Sequence, residues 1–273
     1  MAEKTVRHYH HHYRFSYTTS FRRHFTSVIV VLVVLVGTLM LFFRAITPQN
    51  GIQLSEISLL NVLTAAVNTL TRLCIAYFFA IIISIPLALI ITGNQKLEKV
   101  LLPVFDIIQS IPVLAFFPVI VVTFIKFNFL EGAAIFIITF TMIGNLVFSM
   151  IGGLKTIPED ITNSAIVFGA RGFSKLFNIT IPSIFPYLLT GSLLAWAQAW
   201  SIIIVAEALH TYIPNGSPSN DLYGLGSLMV DAFSQGKNSL FLIALVVMII
   251  IITLLNYFVW QKLLHLAERF RFD

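Results

Sequence analysis

Few residues in this chain have the type and setting to do chemistry. They are an arginine and a glutamate at the ends of apolar runs, and a Gln-Ser-x-Pro step inside a third run. A charge placed in lipid costs roughly 2.5–3.5 kcal/mol on insertion scales, so such a group needs a partner or a task. Arg72 has two readings: it attracts an anion, or it snorkels its guanidinium to the membrane surface. Glu207 is either a solvated helix end or a gating or interhelical bond. Asp106 is expected to pair with Lys96 or Lys99. Pro112 and Pro118 cannot donate backbone hydrogen bonds, so a helix running through them must kink or break. The carbonyls freed at such a break are tolerated in a membrane only where they line a cavity or are buried in protein. Gln109, Ser110 and Pro112 are therefore expected on a path through the membrane, together with Arg72 and Glu207.

Several chemistries are missing from the sequence. The apolar runs hold no paired acids, no His-Glu-x-x-His helix and no nucleophile with its base, so a membrane-embedded enzyme is not expected. No Gly-rich loop ends in Gly-Lys-Ser/Thr, so the chain is not expected to bind or hydrolyse ATP. Its single cysteine, Cys74, lies in an apolar run and reads as a small buried hydrophobe. His8, His10, His11 and His12 form a tract that binds metal adventitiously, and no dedicated metal site is expected. Trp196 and Trp200, four apart, read as packing core.

The elements that must hold these residues are membrane helices. The composition is 58% hydrophobic and 11% charged, against roughly 25% charged for a soluble domain. About 20 apolar residues span the roughly 30 Å hydrocarbon core. Six stretches qualify: Phe25–Phe43, Leu73–Gln95, Ile107–Ile125, Gly132–Leu154, Leu176–Ala206 and Asn238–Gln261. Pro182 and Pro186 put the start of the fifth helix near Phe185. Every backbone group must be paired internally in lipid, and no ten-residue alternation of a barrel is visible, so the fold class is all-α. No small-residue cleavage site follows the first run, which is expected to be retained.

Orientation follows the cations. With the N-terminus inside, Lys4, Arg7, Arg14, Arg22, Arg23, Lys96, Lys99, Lys155, Arg171, Lys175, Lys262, Arg269 and Arg271 fall on the cytoplasmic side. Only Arg44, Lys126 and Lys237 fall outside. Both termini are then cytoplasmic, and the net charge of +5 reflects those loops rather than a nucleic-acid surface. The organisation expected is a tail over 1–24, a first span and outer loop over 25–65, a core of five spans over 66–262 and a tail over 263–273. The core includes a cytoplasmic loop, 155–183. The segment His210–Gly236, with Pro214, Gly216, Pro218, Gly224 and Gly226, is an outer loop built of turns.

The cytoplasmic loop carries the most specific pattern. It reads Asn163-Ser164-Ala165, then Gly169-Ala170-Arg171-Gly172, then Ile179-Thr180-Ile181-Pro182. Small residues at 164, 165 and 169 allow close packing, and Gly169 and Gly172 allow a sharp turn. Pro182 suits the first turn of a following helix. Two short helices joined by a bend are expected across the membrane face, shaped to fit a groove on a cytoplasmic partner.

This loop resembles the EAA loop of ABC importer permeases, whose pattern is Glu-Ala-Ala, Gly, Ile, x, Leu, Pro. Ala165, Gly169, Ile179 and Pro182 fall on the pattern, and Ile181 replaces Leu. Asn163 and Ser164 depart from it, and Asn163 removes a charge. Asn68-Thr69-Leu70-Thr71-Arg72, Ser84-Ile85-Pro86, the segment from Ser110 to Pro118, Val205-Ala206-Glu207-Ala208 and Gly224-Leu225-Gly226 resemble the nitrate/sulfonate/taurine/bicarbonate branch. The resemblance implies a permease subunit in a prokaryotic cytoplasmic membrane. It implies as partners a second permease copy, cytoplasmic ATPases that hold ATP and Mg, and an external solute-binding protein. It also implies that Asn163, Ser164, Ala165, Gly169, Ala170, Arg171, Ile179 and Pro182 couple to the ATPase. The alternative is an ATP-independent carrier or channel, for which internal repeats and midplane charges are lacking.

Overall fold

The structure is a computed structural model of the 273-residue chain. It describes residues 59–213, 216 and 220–267, and Gly37 by itself. The chain divides into two units, Met1–Gly51 and Ile52–Asp273. Every helix with described bounds belongs to the second. Apart from the helical Gly37, the expected first span lies outside the described residues, as do the histidine tract and both chain ends.

Among the described residues there are helices and no strands. α1 is Leu59–Thr92, α2 is Gln95–Ser110, α3 is Phe117–Lys126, α4 is Leu130–Lys155 and α5 is Glu159–Val167. α6 is Phe173–Glu207, α7 is Leu225–Ser234 and α8 is Asn238–Ala267. α1, α4, α6 and α8 are long and apolar enough to cross a membrane.

Three stretches differ from the sequence expectation. α1 begins at Leu59 rather than Leu73. Arg72 ends the uncharged run, but its charge is neutralised by partners, so the helix continues through it. The third run is not one helix. α2 stops at Ser110 and α3 starts at Phe117, with a 3-10 turn at Val113–Ala115 between them. At 1.5 Å per residue the ten residues of α3 reach only about 15 Å. α6 begins at Phe173, well before Phe185, and passes through Pro182 and Pro186. A π turn over Leu176–Thr180 precedes Pro182. There Ile181 N–H donates to Leu176 O, and the Ser183 hydroxyl donates to Ile179 O at 2.7 Å. The widened turn lets the helix continue into Pro182, with the Ser183 hydroxyl bonded just beyond it.

α4 is the most enclosed span and α8 the least. α4 packs mainly against α1 and α6, through positions where backbones come close. A Cβ on Gly191 of α6 would meet Ser149 Cβ at 2.6 Å and the Asn145 backbone O at 3.0 Å, both on α4. Without a hydrophobic drive between helices in lipid, such close contact supplies the association energy. Tyr77, Trp196 and Trp260 join α1, α6 and α8 edge to face, with ring centroids 5.7–6.3 Å apart. Trp196 and Trp200 are both buried. The Tyr77 hydroxyl donates to Ser192 Oγ at 2.7 Å.

Candidate functional site

Arg72 of α1, Glu131 of α4 and Glu207 of α6 come together in one ion-pair group. Arg72 is 5% exposed and Glu207 0%. Arg72 Nη1 donates to Glu207 Oε1 at 2.8 Å. Its Nε and Nη2 form a two-point pair with Glu131 of α4, at 2.7 and 2.8 Å. Glu207 also accepts from Thr69 Oγ1 at 2.8 Å and from Gly226 N–H at 2.7 Å. Thr69 Oγ1 in turn accepts from Leu225 N–H at 2.9 Å, and Arg72 Nη1 reaches Tyr223 O at 3.1 Å. A Cβ on Gly224 would fall 2.3 Å from Glu207 Cδ, so only a glycine lets the loop lie on the carboxylate. Three stretches that the sequence offered separately, around Thr69–Arg72, Glu207 and Gly224–Gly226, are thus one network. Burial of these charges is tolerated because each carboxylate oxygen of Glu207 has a donor and Arg72 is forked between carboxylates.

This geometry corrects two expectations. Glu207 is not a solvated helix end, since it is wholly enclosed. Arg72 neither snorkels nor stands ready for an anion, since two carboxylates already hold it. A third correction concerns Asp106, which makes no ion pair among the described residues; Glu98 pairs instead with Lys155. Glu131 was not singled out by the sequence. Its signal was modest, a carboxylate just ahead of the fourth apolar run.

The break between α2 and α3 borders a cavity of about 470 Å³. Ile83 and Leu87 of α1, Gln109 and Pro112 at the break, Thr141 and Gly144 of α4 and Gln198 of α6 line it. No charged side chain does. Gln198 Oε1 accepts from Asn145 Nδ2 at 2.8 Å, which leaves the Gln198 amide hydrogens unspent on that bond. The Thr141 hydroxyl donates to Ile137 O at 2.8 Å and keeps acceptor capacity. Ser110 stands apart, since its hydroxyl donates to Asp106 O at 2.8 Å and it does not line the cavity. Of the five residues expected on a path, Gln109 and Pro112 meet here. Arg72 and Glu207 belong to the network, and Ser110 to neither. Thr141 and Gln198 were missed, because single neutral polar residues in apolar runs give no signal.

The loop after α4 is a short helix, a bend and the start of α6. Gly169 and Gly172 have φ of +81° and +54°, in the left-handed region that side chains resist. Asn163, Ser164, Gly169 and Arg171 are exposed, whereas Ala165 is buried. Val167, Phe168 and Phe173 are 83%, 88% and 80% exposed. A Cβ added at Gly169 or Gly172 meets nothing within 4 Å. The tightness expected at Gly169 is therefore conformational rather than steric within this chain. Ile179 and Pro182 fall in the π turn and the following helix, half-buried, not in the exposed bend.

Known proteins share this architecture. The family model for the inner membrane component of binding-protein-dependent transport systems matches residues 80–265. A nitrate import permease protein of Leptolyngbya laminosa is 28% identical over 188 residues, 69% of this chain and 63% of that protein. A bicarbonate transport system permease protein of Synechococcus elongatus is 28% identical over 193 residues, 71% of this chain and 65% of that one. The chain thus spans just under two thirds of the length of these relatives. A taurine transport system permease protein of Escherichia coli is 26% identical over 141 residues, 52% of this chain and 50% of that protein. Among solved structures, an inward-facing methionine ABC transporter aligns with a TM-score of 0.61 at 17% identity, covering 77% of this chain and 97% of that one. A bacterial ABC transporter that imports alginate aligns at 0.62 and 16% identity, covering 92% and 96%. At such identities the likeness is one of fold.

Proposed function

The chain belongs to the family of inner membrane components of binding-protein-dependent transport systems, a transport component rather than an enzyme, and from that premise we propose that it is the permease subunit of an ATP-driven importer. Two copies would form the path. Cytoplasmic ATPases would hold ATP and Mg, and an external binding protein would deliver the solute. The full topology on this reading has six spans in the cytoplasmic membrane with both termini inside. Its first span is the run Phe25–Phe43, and its third is the broken pair α2–α3.

The observation that carries the reading is the exposed bend at Val167–Phe173. Large aromatic side chains stand in the open on a loop whose backbone is set by two glycines of positive φ. Exposed aromatics at a rigid turn are the composition of an interface core awaiting a partner. The family membership makes an ATPase the partner of choice. Asn163, Ser164, Gly169, Ala170 and Arg171 lie on or beside this bend. Ile179 and Pro182 would act as the lever by which movement of the bend reaches α6.

The solute is proposed to be a small anion such as nitrate, bicarbonate, taurine or a sulfonate, on the strength of the relatives. It would pass by the cavity at Gln109, Pro112, Thr141 and Gln198. Neutral amides and a hydroxyl hold an anion weakly, and a transit site must release what it binds. Selection would then rest with the external binding protein. The test is co-purification of the ATPase with the wild-type chain and with Phe168→Asp. Loss of the ATPase from a folded variant is expected. Undiminished retention overturns the reading of this bend as the docking surface.

A further inference from the structure

A second group of ionisable side chains is shared between the loop after α6 and α7 itself, and the transport reading makes no use of it. His210 lies in the 3-10 turn Leu209–Tyr212, Asp221 just before α7, and Asp231 within α7. One ligand atom from each lies within 4.8 Å of the others. His210 Nδ1 is 2.7 Å from Asp221 Oδ2, and the His210 backbone N–H donates to Asp221 Oδ1 at 2.8 Å. These bonds fix the carboxylate, whose side chain is 4% exposed, with one oxygen turned to the imidazole.

Asp231 completes the group in an unusual way. Its Oδ1 is enclosed and has no hydrogen-bond partner among the described residues. A carboxylate oxygen is an acceptor only, and burying one without a donor is destabilising. Two carboxylates and one imidazole remain short of positive charge even when the imidazole is protonated.

We propose that His210, Asp221 and Asp231 form a divalent transition-metal site, of the kind that takes Zn2+ or Mn2+. A cation supplies both what the orphan oxygen lacks and the missing charge. One imidazole with two carboxylates is a borderline-hard nitrogen and oxygen donor set. Ca2+ and Mg2+ prefer oxygen donors alone. Three protein ligands leave one or more positions for water. The metal would tie the end of α6 to the middle of α7. Between these points lie Tyr223 to Gly226, which bond to Arg72 and Glu207, so the cation would hold both ends of the segment that covers that ion pair. No spacing in the sequence announces this site, since its ligands come from a 3-10 turn, a loop and a helix.

The test uses the full-length chain with His8, His10, His11 and His12 changed to serine, so that the tail binds nothing. After chelation, Zn2+ is restored by dialysis and counted per chain. One equivalent is expected. Asp231→Asn and His210→Gln should each weaken binding by more than the roughly 10–100-fold that loss of an outer-shell partner costs, while His265→Gln leaves it unchanged. In the tail-substituted parent loaded with Mn2+, electron spin-echo spectra should show one directly bound nitrogen. That readout holds even if a variant fails to fold. No bound metal in the parent, metal retained by both variants, or no nitrogen coupling would each overturn the proposal.

Discussion

Removing the Arg72 charge should be far more damaging than removing that of Glu131, although both belong to one network. Glu207 is fully enclosed and its cation is Arg72, at 2.8 Å. In Arg72→Met the Glu207 carboxylate keeps its bonds from Thr69 and Gly226 but loses its counter-charge. Breaking a buried pair from one side costs about 3–5 kcal/mol. Glu131 has a side chain 46% exposed, so solvent takes over much of its bond to Arg72, and Glu131→Gln should cost about 0–1 kcal/mol. The double variant Arg72→Met with Glu207→Gln removes both buried charges and should recover a good part of the loss, because the one ion left unpaired, Glu131, has a side chain 46% exposed. The assay is equilibrium unfolding of the purified chain in mixed micelles, run as a double-mutant cycle. Equal costs for Arg72→Met and Glu131→Gln, or no recovery in the double variant, would refute the assignment of Glu207 as a buried ion that depends on Arg72.

Three further outcomes are expected. Gly169→Ala should cost about 1–2 kcal/mol in local stability of the bend, because φ is +81° and no atom crowds the added methyl, whereas Gly169→Asn should cost less; hydrogen exchange over 159–175 reads both. Gly226→Ala should destabilise the chain by about 1–3 kcal/mol, since its Cβ would meet Ile204 Cα at 2.6 Å; thermal unfolding measures it. Gln198→Leu should raise the KM for solute uptake in vesicles while leaving assembly and stability near wild type, because Gln198 borders the cavity and is not part of the packed core.

Much of this was legible because lipid is a demanding solvent. Chain length in apolar runs read out α4 and α8 closely. Pro112 and Pro118 announced the break between α2 and α3, since a missing N–H has no water to replace it in a membrane. The errors arose where distant partners changed the energetics. Arg72 looked like the end of a run because nothing nearby in sequence shows Glu131 or Glu207, 59 and 135 residues away. Glu207 looked solvated for the same reason. Pro182 looked like a helix start because a π turn, which lets the helix continue into it, leaves no mark on hydrophobic periodicity. The bend at Gly169 was legible from glycine spacing alone, and its exposed aromatics were visible in sequence without their exposure.

The central claim is that the bend at 167–173 passes work between an ATPase and the membrane path. The direct measurement is ATP hydrolysis by the reconstituted assembly of permease, ATPase and binding protein in lipid vesicles, with and without solute, for wild type and Phe168→Asp. The account predicts solute-dependent hydrolysis in the wild type and its loss in the variant, with Arg72, Glu207 and the rest of the fold intact. Solute uptake that proceeds without any ATPase, or equal stimulation in wild type and variant, would contradict it.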